Sequence, residues 1–274
     1  MLAAHLDGRG PPTVTMPMKA LVVYFSQTGN TEQVARAIGR GLEAAGCDPV
    51  DVRRLRDTAP GDWLSYDLVG LGTPVFYYKE PANVREWVRA LEPRAAPAPM
   101  LTFNTNGGNP TNTFRRLQKQ LAGKGGRVLA SFECPGYDTY PIYFKSFRQW
   151  GHPDAADLAR AEAFSRQAAG GAERFLAGHP VPEAAYRFVG GKPFRLSIIC
   201  RRPILNTFFP KLHLAEDLCT RCGACARACP TENIRLAPGP TFADRCIHCY
   251  LCERICPQNA IQCDWRRLTR LMNR

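Results

Sequence analysis

The chain has 274 residues, 45% of them hydrophobic, and carries 36 Lys and Arg against 24 Asp and Glu, a formal net charge of +12. This length and composition suit one domain of ordinary size with a smaller companion, and they exclude a disordered chain. Twelve cysteines would suggest a disulfide scaffold in a short secreted protein, but ten of them fall at or after Cys200, so they belong to a local site.

Met1 to Pro12 contains an acid, an arginine and two prolines where a signal peptide needs an apolar core, so residues 1–17 read as a flexible arm ahead of a start at Met16 or Met18. Lys19 to Phe25 is a continuous apolar, β-branched run of the kind that forms a buried strand. Val34, Ala35, Ile38 and Leu42 follow at helical spacing, closed by Gly46, and a second strand is expected around Val50 to Val52. Asp67 to Gly72 predicts a third strand. Glu80-Pro81 opens a helix through Val84, Trp87, Val88 and Leu91, with the proline expected in its first turn. Met100 to Phe103, Phe114 to Leu121 and Arg127 to Phe132 continue as strand, helix and strand, and a last helix runs from about Asp154 to Leu176. Five strands alternating with helices predict an α/β fold, a doubly wound parallel sheet covered on both faces.

Residues 179–212 hold Pro180, Pro182, Pro193, Pro203 and Pro210, with no clear period, and read as a connecting segment draped over both domains. Phe208-Phe209 within it serves as packing or as a platform near a cofactor. The most apolar stretch, Leu196 to Phe209, is interrupted by Arg201, Arg202 and Pro203 and falls short of the roughly 18 residues a membrane span requires. No membrane span is expected, and reduced cysteines point to the cytoplasm.

Ser26-Gln27-Thr28-Gly29-Asn30-Thr31 lies between the first strand and the first helix, where backbone N–H groups and the positive end of the helix dipole face an anion. Three hydroxyls and a glycine suit a terminal phosphate. A turn with a helix cap accounts for the same residues. In its context the pattern resembles the FMN phosphate loop of flavodoxins, and the resemblance spans residues 18–178. It implies strand order 2-1-3-4-5, with FMN at the switch point between the first and third strands. Two loops would then hold the flavin ring: Thr73-Pro74-Val75-Phe76-Tyr77-Tyr78 after the third strand and Asn104-Thr105-Asn106-Gly107-Gly108-Asn109 after the fourth. Phe76, Tyr77 and Tyr78 offer an aromatic face to the ring or pack internally, and Gly107 and Gly108 let backbone amides reach its polar edge. Many flavodoxins have a glycine in the first ring loop, where a peptide flip stabilises the one-electron-reduced flavin. Thr73 to Tyr78 has none, so strong stabilisation of that form is not expected. A Gly-x-Gly-x-x-Gly is absent after the first strand, and Ala122-Gly-Lys-Gly-Gly126 lacks the elements of a Walker loop.

Cys219, Cys222, Cys225 and Cys229-Pro230 recur with identical spacing as Cys246, Cys249, Cys252 and Cys256-Pro257. Structural zinc usually draws two Cys-x-x-Cys pairs from separate hairpins, whereas here three cysteines crowd into seven residues and the fourth is steered away by its proline. The run resembles bacterial two-cluster ferredoxins over residues 213–264, leaving 265–274 as a basic tail. The resemblance implies crossed ligation, Cys219, Cys222, Cys225 and Cys256 on one 4Fe-4S cluster and Cys246, Cys249, Cys252 and Cys229 on the other. Cys47, Cys134, Cys200 and Cys263 are expected as buried thiols and His248 as a packed or solvated side chain. Arg221, Arg227, Arg245 and Arg254 either raise cluster potentials or serve solubility.

The whole resembles the fused flavodoxin-ferredoxin proteins of anaerobes. That implies an electron-transfer flavo-iron-sulfur protein that exchanges electrons with an external redox protein. An FMN-dependent reductase of a small acceptor is the alternative, with Tyr137, Tyr140 and Tyr143 bordering its pocket. Two bound clusters and a phosphate would lower the net charge to roughly +6, which fits a solvated basic surface or a face for an acidic protein partner. Nucleic acid is not an expected partner, because the basic residues are scattered and no DNA-binding helix pair is visible.

Overall fold

A computed structural model describes residues 16–140, 149–236 and 239–272. Strands β1 (Ala20–Tyr24), β2 (Val50–Arg54), β3 (Leu68–Pro74), β4 (Ala98–Asn106) and β5 (Gly126–Pro135) form one parallel sheet in the order β2-β1-β3-β4-β5. β1 and β4 are buried along their entire lengths, as expected of strands covered on both faces. Helices α1 (Asn30–Ala44) and α4 (Ala155–Leu176) cover one face, where Val22, Ile38, Leu42, Phe103 and Ala169 share a core. Their close approach depends on Gly41, where an added Cβ would meet Ser165 Oγ at 2.0 Å and the Glu162 carbonyl at 2.4 Å. Helices α2 (Ala82–Ala90) and α3 (Thr113–Ala122) cover the other face over Leu21, Val69, Leu71, Val88 and Leu117. Strand order reverses between β1 and β3, which opens a crevice beyond their carboxyl ends.

Two expectations need correcting. Pro81 is the N-cap of α2, in extended conformation, and does not lie in its first turn. The connecting segment contains two short helices, α5 (Gly191–Ile199) and α6 (Arg202–Phe208). Their period was hidden because few of their residues turn inward; in α6 only Leu205 is buried. The segment is tied to its surroundings by polar contacts: Lys79 Nζ donates to the Ser197 carbonyl, Asn112 Nδ2 to the Val189 carbonyl, and Arg202 to Glu86.

The C-terminal region is built from two antiparallel ribbons, β6 (Leu212–Leu214) with β9 (Ile261–Cys263) and β7 (Ile234–Arg235) with β8 (Thr241–Phe242). Two one-turn helices, α7 (Ala224–Ala228) and α8 (Leu251–Ile255), lie between them, and α9 (Arg266–Met272) follows. The two halves repeat one backbone path. Positive φ occurs at Arg221, Gly223 and Glu232 in the first half and at their counterparts His248, Tyr250 and Asn259 in the second. Cys225, Ile234, Cys252 and Ile261 form the apolar core. So small a core does not stabilise a domain alone, and a bound metal centre would provide the missing folding energy. No helix among the described residues is long and apolar enough to cross a membrane.

Candidate functional site

The loops that follow β1, β3, β4 and β5 all open on one edge of the sheet. After β1 the chain turns at Gly29, whose φ of 97° favours glycine and where an added Cβ would meet nothing within 4 Å. Ser26 Oγ accepts the Gly29 N–H at 3.1 Å and closes the turn. No side chain caps α1, so its first N–H groups point into the open space with the helix dipole behind them. Thr28 is exposed there. Thr31 is buried, and its hydroxyl pairs with that of Thr105 at 2.7 Å, joining the first loop to β4. Asn30 Nδ2 donates to the Tyr137 carbonyl at 3.1 Å. The side chain of Gln27 turns away from the loop and donates to the Cys249 carbonyl at 2.7 Å.

After β3, Thr73 and Pro74 continue the strand and the Val75 N–H is accepted by the Thr105 carbonyl at 3.0 Å. Phe76 and Lys79 then close a tight turn through reciprocal backbone bonds of 2.8 and 3.1 Å. Both central residues, Tyr77 and Tyr78, have positive φ, 51° and 64°, which costs non-glycine residues of order 1–3 kcal/mol each. The turn is held by its contacts. Phe76 packs edge-on against Phe25, Tyr77 stands edge-on to Tyr140 and Phe209, and the Tyr78 carbonyl accepts bonds from Thr111 and Arg116. Phe209 is thus the inward member of the Phe208-Phe209 pair, while Phe208 is 60% exposed.

In the loop after β4, Asn106 bridges Asn104 Oδ1 and the Gly108 N–H, at 2.9 and 2.8 Å. Asn104 is fully buried, and its Nδ2 is left without a hydrogen-bond partner, a donor at the carboxyl end of a central strand. Gly107 lies against Asp138, whose Oδ2 an added Cβ would meet at 2.7 Å. The uncapped helix, the open turn and the unpaired amide fit a phosphate-bearing ring cofactor spanning these loops. Of the three tyrosines expected beside it, Tyr137 packs on Trp150 and Tyr140 on Tyr77, Tyr250 and Trp265, whereas Tyr143 lies outside the described residues.

All twelve cysteines are free thiols. Cys219, Cys222, Cys225 and Cys256 line one small pocket with Gly223, Ala224, Ala260 and Ile261. Burial, with Cys256 and Cys219 as neighbours, pushes the Cys225 thiol up. Burial also raises Cys246, Cys249 (to about 12) and Cys252, and in all three Cys229 is close enough to add to the shift. Each fourth cysteine therefore stands with the other run's triplet. Backbone N–H groups aim at the sulfurs: Asn233 at Cys229 (3.2 Å), His248 at Cys246 (3.3 Å) and Ala260 at Cys256 (3.2 Å). At Cys256 burial acts to raise the thiol, but backbone bonds from the 258–261 turn outweigh it and hold it below the ordinary range. Thiols gathered in this way, three of them met by backbone N–H donors, suit the ligation of 4Fe-4S.

Of the remaining cysteines, Cys47, Cys134 and Cys200 are buried, with burial raising the Cys47 thiol to about 11 and that of Cys134 to about 12. Cys263 departs from expectation, since it is only partly buried at the ribbon's edge beside Glu253. His248 is 8% exposed and packed, with Nε2 on Asn206 Oδ1 at 2.7 Å. Burial and the nearby Arg202 lower its pKa to about 4, which keeps the ring neutral.

The second cysteine run also touches the sheet's edge loops. Tyr77 Oη donates to the His248 carbonyl at 2.5 Å, beside the Gln27 bond to Cys249, and Ile247 is buried among Phe25, Leu55 and Val84 of the larger domain's core. Sequence reading did not assign these contacts. The one available signal was in the repeat itself, where apolar Ile247 replaces Thr220.

Fold and site together define an electron-transfer protein of the flavin and iron-sulfur class. Residues 21–143 match the flavodoxin domain family and residues 211–257 the 4Fe-4S dicluster domain family. The two matches follow one another along the chain, and a flavodoxin domain and a 4Fe-4S dicluster domain imply FMN and 4Fe-4S as cofactors. An uncharacterized protein of Methanocaldococcus jannaschii is 29% identical over 154 residues, 54% of this chain and 97% of that protein. A flavodoxin of Megasphaera elsdenii is 42% identical over 59 residues (22% of this chain), and one of Haemophilus influenzae is 39% identical over 57 residues (21% of this chain). These matches cover only 42% and 31% of the respective flavodoxins. Among solved structures, an archaeal flavodoxin aligns with a TM-score of 0.45 at 21% identity, covering 57% of this chain and 99% of its own. Two-electron reduced Megasphaera elsdenii flavodoxin aligns with a TM-score of 0.42 at 22% identity, covering 54% and 98%.

Proposed function

We propose that this protein is a cytoplasmic electron carrier that links FMN, through two 4Fe-4S clusters, to an external redox protein. The observation that carries the reading is the contact of the second cysteine run with two loops of the flavin edge, through Tyr77 and Gln27. FMN, when bound, exchanges electrons in pairs or singly, and each cluster carries one. The N–H groups opening α1 and the Thr28 hydroxyl bind the phosphate. Residues 73–77 and 104–108 hold the ring between them, with Asn104 Nδ2 offering a donor to its polar edge. Cys219, Cys222, Cys225 and Cys256 ligate one cluster, and Cys229, Cys246, Cys249 and Cys252 the other. The N–H bonds to the sulfurs stabilise the thiolate charge. Free thiols throughout suit a reducing compartment.

The reductase alternative needs an open pocket beside the ring. Of its lining candidates among the described residues, Tyr137 packs against Trp150 and Tyr140 against Tyr77, Tyr250 and Trp265, which favours the carrier.

The test is an anaerobic preparation with flavin, iron and sulfide quantified and its absorption spectrum recorded. A colourless protein, or one carrying zinc in place of iron and sulfide, ends the proposal. Multiple turnovers with a small organic acceptor and no protein partner would favour the reductase. At the phosphate loop, Thr28→Val is expected to weaken FMN binding about fivefold, the loss of one hydrogen bond of about 1 kcal/mol. Titration of apoprotein with FMN measures it, and unchanged affinity removes this phosphate site.

A further inference from the structure

The two cysteine runs share a backbone path but not an environment. In the first run, the residues between and at the ligand positions, Thr220, Arg221 and Cys222, are all exposed. Their counterparts are Ile247, His248 and Cys249. Ile247 is 6% exposed and belongs to the apolar core under the flavin edge, and Cys249 packs against the same core. The carbonyls of His248 and Cys249 each accept a bond from a side chain of that edge, Tyr77 at 2.5 Å and Gln27 at 2.7 Å. Tyr77 comes from the first ring loop and Gln27 from the phosphate loop, so the same short run is fastened at two points that bracket the flavin position. Nothing comparable fastens the first run among the described residues.

Building on the function proposed above, we infer that the quartet Cys229, Cys246, Cys249 and Cys252 is the one on the flavin side, that the quartet Cys219, Cys222, Cys225 and Cys256 faces the solvent, and that Gln27 and Tyr77 fix this order. The two side chains act as positioning residues. Each holds a main-chain carbonyl of the inner run, and with it the separation between that quartet and the flavin loops. The strained turn at Tyr77 and Tyr78 is consistent with this role, because it aims the Tyr77 hydroxyl across the domain boundary. The outer quartet has exposed Cys222 beside exposed Arg221, the arrangement of a port that an external protein can approach.

The experiment uses partly reduced holoprotein, frozen rapidly during reduction so that the transient flavin radical is trapped, and reads magnetic relaxation of that radical by pulsed electron paramagnetic resonance. A reduced cluster close by shortens that relaxation. In Cys222→Ala, which disables the outer quartet, the shortening is expected to persist; in Cys246→Ala, which disables the inner one, it is expected to disappear. The reverse pattern overturns the order. If neither flavin nor iron-sulfur is present in the wild type, the function proposed above fails instead, so the two failures are distinguishable. For the latch, Tyr77→Phe combined with Gln27→Leu removes both hydrogen bonds. Hydrogen exchange at the amides of residues 247–250 is then expected to quicken roughly tenfold or more. The flavin relaxation, measured only on flavin-loaded molecules, lengthens in parallel. Unchanged exchange and unchanged relaxation in a folded double variant refute the latch.

Discussion

The halves of the small domain, 219–236 and 246–263, are two copies of one backbone conformation in different settings. Three positive-φ positions coincide, each half has a one-turn helix after its second cysteine, and each fourth cysteine receives an N–H bond from four residues further on. The two cysteine runs therefore share one local chain conformation. What differs is the outward-facing chemistry. Gly223 occupies one left-handed position at φ 75°, and Tyr250 occupies the other at φ 53°, buried and bonded through its hydroxyl to the Pro210 carbonyl at 3.0 Å. Glycine meets the conformational requirement without help, whereas tyrosine meets it only because its ring is packed against Tyr140 and Trp265. A repeat can thus keep its metal-binding frame while its substitutions decide which copy is docked and which stays free.

The most severe way to break the symmetry is Cys229→Ala. It lies in the first half but stands with the second half's triplet, so iron and sulfide content are expected to fall by about half, with the Cys246 quartet as the one lost. Damage confined to the Cys219 quartet, read by iron analysis and paramagnetic resonance, would contradict crossed ligation. Next is Ile247→Ala, which opens a cavity in the larger domain's core and is expected to cost about 2–4 kcal/mol in denaturant unfolding. The equivalent Thr220→Ala, on an exposed residue, is expected to stay within about 0.5 kcal/mol. Equal losses at both sites would mean that the halves are docked alike. Gly223→Ala sharpens the comparison of the left-handed positions: it is expected to cost about 1–2 kcal/mol, mostly as backbone strain. The new methyl would also meet the flexible end of Arg227 at 2.8 Å and Leu236 Cδ1 at 3.1 Å. Tyr250→Phe is expected to cost about 1 kcal/mol in the same unfolding measurement, because it loses the hydroxyl's bond to the Pro210 carbonyl and its longer contact with His248 Nδ1 but keeps the ring packing.

Much of this architecture is written in local sequence. Ala20 to Tyr24 and Leu68 to Gly72 are legible as strands because burial on both faces leaves no polar alternation to misread. The repeated cysteine spacing is legible because it is fixed along the chain, and the α4 boundaries because Pro153 precedes the helix and Gly178 follows it; the Asp154–Asp157 capping box emerges only in the structure. What escaped depends on distant partners. α5 and α6 are short and mostly exposed, so their helical periods are invisible without the surfaces they rest on. Gln27 reads as a loop residue until the Cys249 carbonyl is beside it, and no propensity rule predicts two tyrosines at positive φ in the Phe76 to Lys79 turn.

The interleaving of the two cysteine runs also bears on biosynthesis. A nascent chain that has emerged only as far as Arg245 displays four of the eight cysteines of the repeat, and under the crossed ligation proposed above three belong to one cage and the fourth to its neighbour, so neither vessel has a complete rim. Metal delivery is then coupled to completion of the polypeptide through Cys256, and a truncated product would be left without a finished receptacle for either load.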